Sequence, residues 1–144
     1  MPAVSGESHN RGGIRYIEVA DGTGAPASRL QCVYAHYTAW LADGTKVESS
    51  HDPLPDGSAG EPVAFVLGVG QVMQGWDVGF DGMKVGGRRR LFVPYALAYG
   101  ERGRPPVIRP RTPMIFDVEL MGVASQVRGS AAECPAWKLV KERS

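Results

Sequence analysis

The sequence has few of the residues on which metal and disulfide chemistry depend. It contains two cysteines, Cys32 and Cys134, and three histidines, His9, His36 and His51. The cysteines form no CxxC pair and no disulfide framework, and the histidines show no zinc-ligand spacing. We therefore expect no metal, no cofactor and two reduced thiols, with Cys32 buried and unreactive.

An excess of one charge and long apolar runs are also missing. Lys and Arg number 16 against 15 Asp and Glu, which gives a net charge of +1 at pH 7. This balance disfavours a nucleic-acid-binding protein, which usually carries a large basic excess. No run approaches the roughly 18 apolar residues of a membrane span, and the first residues lack the apolar segment of a secretory signal. We expect a cytoplasmic protein, most simply a monomer, with neither nucleic acid nor membrane as a partner.

Glycine and proline, in contrast, are abundant, with 19 and 11 of the 144 residues. Such a content predicts many turns and few long helices. The 43 % of apolar residues suffices for one buried core. We divide the chain into a flexible arm at 1–12, one domain at 13–123 and an extension at 124–144. The extension either forms a short helix that docks on the domain or is a disordered end.

Alternating apolar patterns predict five or six strands, one short helix and two large loops. The predicted strands lie at 14–19, 30–42, 45–49, 63–67, 88–93 and 114–123. Val72, Trp76 and Phe80 recur at every fourth residue and predict the helix. The arginines at 88–90 would divide between the faces of a strand, and we expect them at a solvated sheet edge. The class predicted is α+β, with an antiparallel sheet wrapped round the helix.

Familiar catalytic motifs are absent: the sequence has no GxSxG, no phosphate-binding loop and no HExxH. An enzyme with this sequence would work without a nucleophile or a metal. Val107 and Ile108 are apolar residues in a loop of prolines and arginines, and Tyr99 leads into that loop. Apolar side chains on a loop predict an apolar binding pocket. The alternative is that these residues, with Tyr37, Trp76 and Phe116, belong to an ordinary core.

Three segments follow one another in an order that is specific to one family. The first runs from HYT at 36–38 to SS at 49–50, and the second includes FVLG at 65–68, VMQGWD at 72–77 and GMKVG at 82–86. The third includes LAYG at 97–100, a proline-rich loop and FDVEL at 116–120. Together they resemble the FKBP-type (macrolide-binding immunophilin) peptidyl-prolyl cis-trans isomerases over residues 13–123.

The resemblance implies an FKBP-like fold, in which a half-barrel of about five antiparallel strands surrounds one short helix. It implies an isomerase, or rotamase, that speeds rotation about X-Pro bonds and assists protein folding. Its implied partners are proline-containing peptides, unfolded protein chains and macrolide inhibitors. Its implied mechanism is desolvation of the substrate and complementarity to the twisted transition state in an apolar pocket.

The resemblance also assigns a role to each pocket residue. Trp76 is expected beneath the substrate proline ring, while the Tyr99 hydroxyl and the Met73 N–H donate to substrate carbonyl groups. Val107 and Ile108 are expected to overhang the pocket from the long loop. The catalytic residues that it implies are Tyr37, Glu48, Trp76, Tyr99 and Phe116. The substrate-binding residues that it implies are Val47, Val63, Phe65, Val72, Met73, Val107 and Ile108.

Departures from the family pattern cluster at one wall of this pocket. Val47 and Val63 stand where the family usually has aromatic residues, and Glu48 stands where it has Asp. The loop at 50–62 offers no match for the basic residue that often pairs with this acid. We therefore expect modest activity and reduced macrolide affinity. The alternative is a catalytically weak module that keeps the fold and binds proline-containing partners; an unrelated β-rich structural domain is a third possibility that the ordered motifs disfavour.

Overall fold

The computed structural model describes residues 1–127 and 133–142 of the chain. Within these ranges it contains seven strands, two α-helices and one 3₁₀ turn. In chain order they are β1 (Ser8–Arg11), β2 (Ile14–Ala20), β3 (Cys32–Leu41), β4 (Lys46–Ser49), β5 (Val63–Val66), α1 (Gln74–Phe80), β6 (Arg88–Val93), the 3₁₀ turn (Tyr95–Leu97), β7 (Met114–Ala124) and α2 (Trp137–Glu142). Neither of the described helices is long and apolar enough to cross a membrane.

The strands form one antiparallel sheet with the order β1-β2-β6-β7-β3-β4, and β5 also pairs with β3. Strand β3 is the centre of this arrangement, because one edge pairs with β7 along its full length. Its other edge pairs first with β5 and then with β4. The predicted α+β half-barrel around a short helix is confirmed.

Two glycines set how closely α1 lies to the sheet. A Cβ atom on Gly75 would stand 2.4 Å from Val93 Cγ1, and one on Gly79 would stand 2.5 Å from Leu91 Cδ1. Only a residue without a side chain permits this approach of the helix to β6. The same helix therefore buries Trp76 and Phe80 in the main core.

The residues of β3 alternate between two hydrophobic clusters, as the pleat of a strand requires. Val33, Ala35 and Ala39 belong to the main core beneath α1. Cys32 and Tyr34 belong to a second cluster on the opposite face, which also contains Val140 and Trp137 of α2. Helix α2 thus docks on the outer face of the sheet. Of the two alternatives for the extension, the docked helix is correct for the residues described.

The same outer face carries a disulfide. Cys32 and Cys134 are bonded to each other, with their Cα atoms 5.6 Å apart. The prediction of two reduced thiols is therefore wrong. Cysteines far apart in sequence become neighbours because the chain after β7 returns across β3, and sequence spacing alone does not contain that return path.

Two further expectations differ from the structure. Residues Ser8–Arg11 lie within the predicted flexible arm, yet they form β1 and pair with β2. Strand β6 is an interior strand between β2 and β7, so the prediction of a solvated arginine edge is wrong. Arg89 and Arg90 are buried because each has a carboxylate on a neighbouring strand: Arg89 Nε lies 2.7 Å from Glu18 Oε2, and Arg90 Nε lies 2.6 Å from Asp117 Oδ1.

Candidate active site

A cleft of about 280 Å³ opens between α1, the ends of several strands and the loop that follows the 3₁₀ turn. Nine of the twelve residues implied by the resemblance line it. They are Tyr37, Glu48, Val63, Phe65, Val72, Met73, Trp76, Tyr99 and Phe116. Residues that are distant in sequence therefore meet in one apolar depression with a polar margin.

Trp76 forms the aromatic centre of the cleft. Its ring makes edge-on contacts with Tyr37 at 5.0 Å and with Phe116 at 5.4 Å between centroids. Phe65 and Phe80 pack against it at 5.7 and 5.4 Å. Edge-to-face aromatic packing of this kind fixes ring orientation as well as burying area. The indole is only 6 % exposed and lines the cleft, so it forms part of the cleft base.

The indole N–H is a further feature of this base. Trp76 Nε1 is buried, and it has no hydrogen-bond acceptor among the residues that the structure describes. A buried donor without an acceptor is costly and uncommon in native proteins. The surroundings of the Trp76 indole are thus apolar, with no acceptor for its N–H among the described residues.

Polar groups gather on one side of the cleft mouth. The Glu48 carboxylate lies near the Tyr37 hydroxyl and helps to raise the pKa of that phenol. Arg104 Nη2 lies 3.3 Å from Glu48 Oε1, and the Arg104 guanidinium carbon lies 5.1 Å from the centroid of the Tyr99 ring. Two phenols, a carboxylate and a guanidinium therefore form a polar margin on one side of an otherwise apolar cleft.

The environment keeps both phenols in their neutral, hydrogen-bond-donating form. Burial is the main cause that raises the pKa of Tyr37 to about 12, and the nearby Glu48 carboxylate adds to it. Burial also raises the pKa of Tyr99, although the Arg104 charge opposes the shift. At neutral pH the hydroxyls of Tyr37 and Tyr99 are thus donors, with no ionised fraction of consequence.

Three of the residues implied by the resemblance lie outside the cleft lining. Val47 packs against the edge of the main core, and Val107 is exposed. Ile108 is fully buried in the core and does not overhang the opening. The reason is a local reversal of the loop, in which Ile108 pairs through its backbone with Arg104 and turns its side chain into the core.

Two lining residues were not foreseen from the sequence, Ala64 and Arg104. Ala64 lies in β5 between two predicted residues, and a small apolar side chain gives no signal of its own. Arg104 is one of four arginines in the loop at 100–113, and the sequence does not show which of them reaches Glu48. Only the path of the loop identifies it.

Comparisons with known proteins agree on one family. A sequence model described as FKBP-type peptidyl-prolyl cis-trans isomerase matches residues 24–121. An FK506-binding protein of Neisseria meningitidis serogroup B is 43 % identical over 112 residues, which cover 78 % of this chain and 97 % of that protein. The peptidyl-prolyl cis-trans isomerase Fkbp12 of Drosophila melanogaster is 40 % identical over 112 residues, covering 77 % and 98 %.

Solved structures give the same result. The crystal structure of a peptidyl-prolyl cis-trans isomerase from Pseudomonas syringae pv. tomato superposes with a TM-score of 0.70 and 29 % sequence identity, covering 82 % of this chain and 81 % of that one. The crystal structure of AtFKBP13 superposes with the same TM-score and 33 % identity, covering 82 % of this chain and 99 % of that one.

An antiparallel half-barrel around a short helix, with an indole at the base of an apolar cleft, defines a prolyl isomerase of the immunophilin class. The chain belongs to the FKBP-type peptidyl-prolyl cis-trans isomerase family. It is an isomerase, and the predicted activity is confirmed. The alternative of a catalytically weak binding module is not favoured, because relatives of this similarity are themselves isomerases.

Proposed function

We propose that the cleft over Trp76 isomerises X-Pro bonds in unfolded protein chains, and that it does so by taking the bond out of water and binding its twisted form. The observation that carries this proposal is the combination of an aromatic base with two protonated tyrosines at the mouth. Such a cleft offers apolar contact to a proline ring and hydrogen bonds to the carbonyl groups beside it.

The chemistry needs no covalent step. An amide resists rotation by about 18–20 kcal/mol because its C–N bond has partial double-bond character. In the twisted transition state the conjugation is broken and the amide loses much of its charge separation. Water solvates the polar planar form better than the twisted form, so transfer to an apolar cleft lowers the barrier. An acceleration of a hundredfold corresponds to about 2.7 kcal/mol, which a few oriented contacts supply.

Each residue then has a defined task in the proposal. Trp76 supports the proline ring, with Tyr37 and Phe116 as flanking walls. Tyr99 donates its hydroxyl to a substrate carbonyl. Met73 stands at the N-cap of α1, where a backbone N–H has no acceptor within the helix, and it donates to a second carbonyl.

The remaining parts of the proposal concern partners. We infer that unfolded chains and proline-containing peptides are the substrates, that the protein assists folding, and that macrolides occupy the same cleft. Val63 gives the cleft a smaller wall than an aromatic residue would, and this supports modest activity and reduced macrolide affinity. A monomer is the proposed state, and sedimentation velocity tests it.

Location is a separate proposal. The cytoplasmic location predicted from the sequence rested on the missing secretory signal and membrane span and on two reduced thiols, and the bond between Cys32 and Cys134 removes the last of these supports. Disulfides persist in oxidising compartments and are rare in the cytosol. The location stays a prediction, and alkylation of free thiols in intact cells, followed by mass spectrometry of both cysteines, tests it.

The activity proposal is tested by exchange NMR on a peptide that contains Leu-Pro. We expect the wild type to speed cis-trans exchange, Tyr99→Phe to lower kcat/KM about tenfold, and Trp76→Ala to lower it further. Tyr95→Phe is the matched control, because Tyr95 lies in the 3₁₀ turn outside the cleft lining. Equal loss in the Tyr95 and Tyr99 variants would contradict the proposed site.

A further inference from the structure

The loop at 100–113 is fixed to the body of the protein by a buried side chain. Ile108 is completely buried, and its backbone forms two hydrogen bonds with Arg104, with N···O distances of 2.8 and 3.0 Å. Gly103 precedes this pair with φ of +66°, and a Cβ atom there would stand 2.3 Å from the Arg109 carbonyl oxygen. The tight reversal therefore needs glycine at 103. Together these contacts define the point from which the Arg104 side chain starts.

From that point the Arg104 side chain reaches the polar margin of the cleft. Its Nη2 atom lies 3.3 Å from Glu48 Oε1 on β4, and its guanidinium stands over the ring of Tyr99. One side chain thus contacts both the acid and a phenol of the cleft. The Glu48 carboxylate that it contacts lines the same cleft as Tyr37 and lies near the Tyr37 hydroxyl.

A role in folding does not account for this arrangement. The side chains of Arg104 and Glu48 are 49 % and 34 % exposed, and ion pairs this exposed contribute little to stability. The pair nevertheless lies in the cleft lining, where it restricts the Glu48 carboxylate and covers one face of Tyr99. Without the guanidinium, the flexible and partly exposed Glu48 side chain would be free to turn away from Tyr37 towards water.

We propose that Arg104 is a positioning residue of the isomerase reaction: anchored through Ile108, it holds the Glu48 carboxylate against Tyr37 and holds the Tyr99 ring at the cleft mouth. This inference rests on the proposed function of the cleft. It also gives the acid a basic partner in this chain, supplied from the loop at 100–113 and not from the loop at 50–62, where the sequence offered no match.

The test compares two arginines of the same loop. Arg111 pairs with Glu101 at 2.7 Å on the exposed side of the loop and does not line the cleft. In exchange NMR on the Leu-Pro peptide, we expect Arg104→Gln to lower kcat/KM about fivefold, with most of the loss in kcat. We expect Arg111→Gln to leave both constants unchanged, and Arg104→Lys to restore part of the loss. Thermal midpoints should be equal for all variants.

A double-mutant cycle separates positioning from unrelated effects. If Arg104 acts through the acid, Glu48→Gln combined with Arg104→Gln loses less activity than the product of the two single losses. Strictly multiplicative losses, or equal activity of Arg104→Gln and wild type, would overturn the inference while the wild-type turnover still supports the proposed function. Absence of turnover in the wild type would overturn both.

Discussion

Removal of the Cys32–Cys134 bond should destabilise the protein without slowing the isomerase. The bond joins the first residue of β3 to the segment that leads into α2, and both lie on the outer face of the sheet. The cleft residue Tyr37 points to the other face of the same strand. Cys134→Ser replaces one sulfur with a hydroxyl at a partly buried position and opens the cross-link.

The expected magnitude follows from the length of chain that the bond closes. The two cysteines are 102 residues apart, and chain entropy assigns a loop of that length about 4.7 kcal/mol. This is an upper value, because the second cluster and the hydrogen bond from the Tyr34 hydroxyl to the Pro135 carbonyl keep α2 near the sheet after the bond is gone. We expect a loss of about 2–4 kcal/mol, or a fall of roughly 5–15 °C in the melting midpoint.

The assay is calorimetry of the wild type and Cys134→Ser, each with and without dithiothreitol. Reduction should lower the midpoint of the wild type to that of the variant and should leave the variant unchanged. At 25 °C both proteins should isomerise the Leu-Pro peptide at the same rate, because the cleft lining and the second cluster have no residue in common.

Two results would refute this reasoning. Equal midpoints in all four samples, together with two free thiols in the native protein, would show that the bond does not form in solution. A fall of kcat/KM in Cys134→Ser at 25 °C, where the variant is still folded, would show that the two faces of β3 are not independent.

Three further predictions follow from other contacts. Gly122 faces the Trp137 ring, and a Cβ atom at Gly122 would stand 2.8 Å from Trp137 Cζ3. Gly122→Leu should therefore displace α2 and lower the free energy of unfolding, measured in urea, by about 1–3 kcal/mol. Unchanged stability would contradict the docked position of α2. The folded-state pKa of Tyr37, about 12, lies above the unfolded value of 10.0, so the stability that this phenol contributes is complete below pH 10 and is lost as the pH rises towards 12. Between pH 9 and pH 11.5 the free energy of unfolding should therefore fall less in Tyr37→Phe than in the wild type. An equal fall in both proteins would contradict this. Val63→Phe adds an aromatic ring to the cleft wall and should tighten macrolide binding about threefold to tenfold, measured by calorimetric titration. Unchanged affinity would show that this wall does not limit binding.

The sheet and the aromatic part of the cleft were predictable because their residues carry local signals. Six predicted strands correspond to β2–β7, and the segment 88–93 coincides with β6. The recurrence of Val72, Trp76 and Phe80 marked α1, although the helix begins at Gln74. Patterns of period two and four follow from which face of an element is buried, and the sequence contains them directly.

Features that depend on the path of the chain were not predictable in this way. Pairing of Ser8–Arg11 with β2 involves a polar segment without alternation, so no pattern marks it. The buried arginines of β6 require carboxylates on neighbouring strands, and the link between Arg104 and Glu48 joins the loop at 100–113 to β4. Each is a contact between distant segments, and a single sequence does not show which segments meet.

The two glycines of α1 have a consequence for the reach of the enzyme. Because the helix backbone rests directly on the side chains of Val93 and Leu91, no side chain of the helix separates the two, and this close contact sets the level of the indole. A methyl group at either glycine would push the helix outward and make the cleft shallower, since packed interiors transmit such displacements. The depth to which a proline ring can sink thus depends on two positions outside the cleft lining.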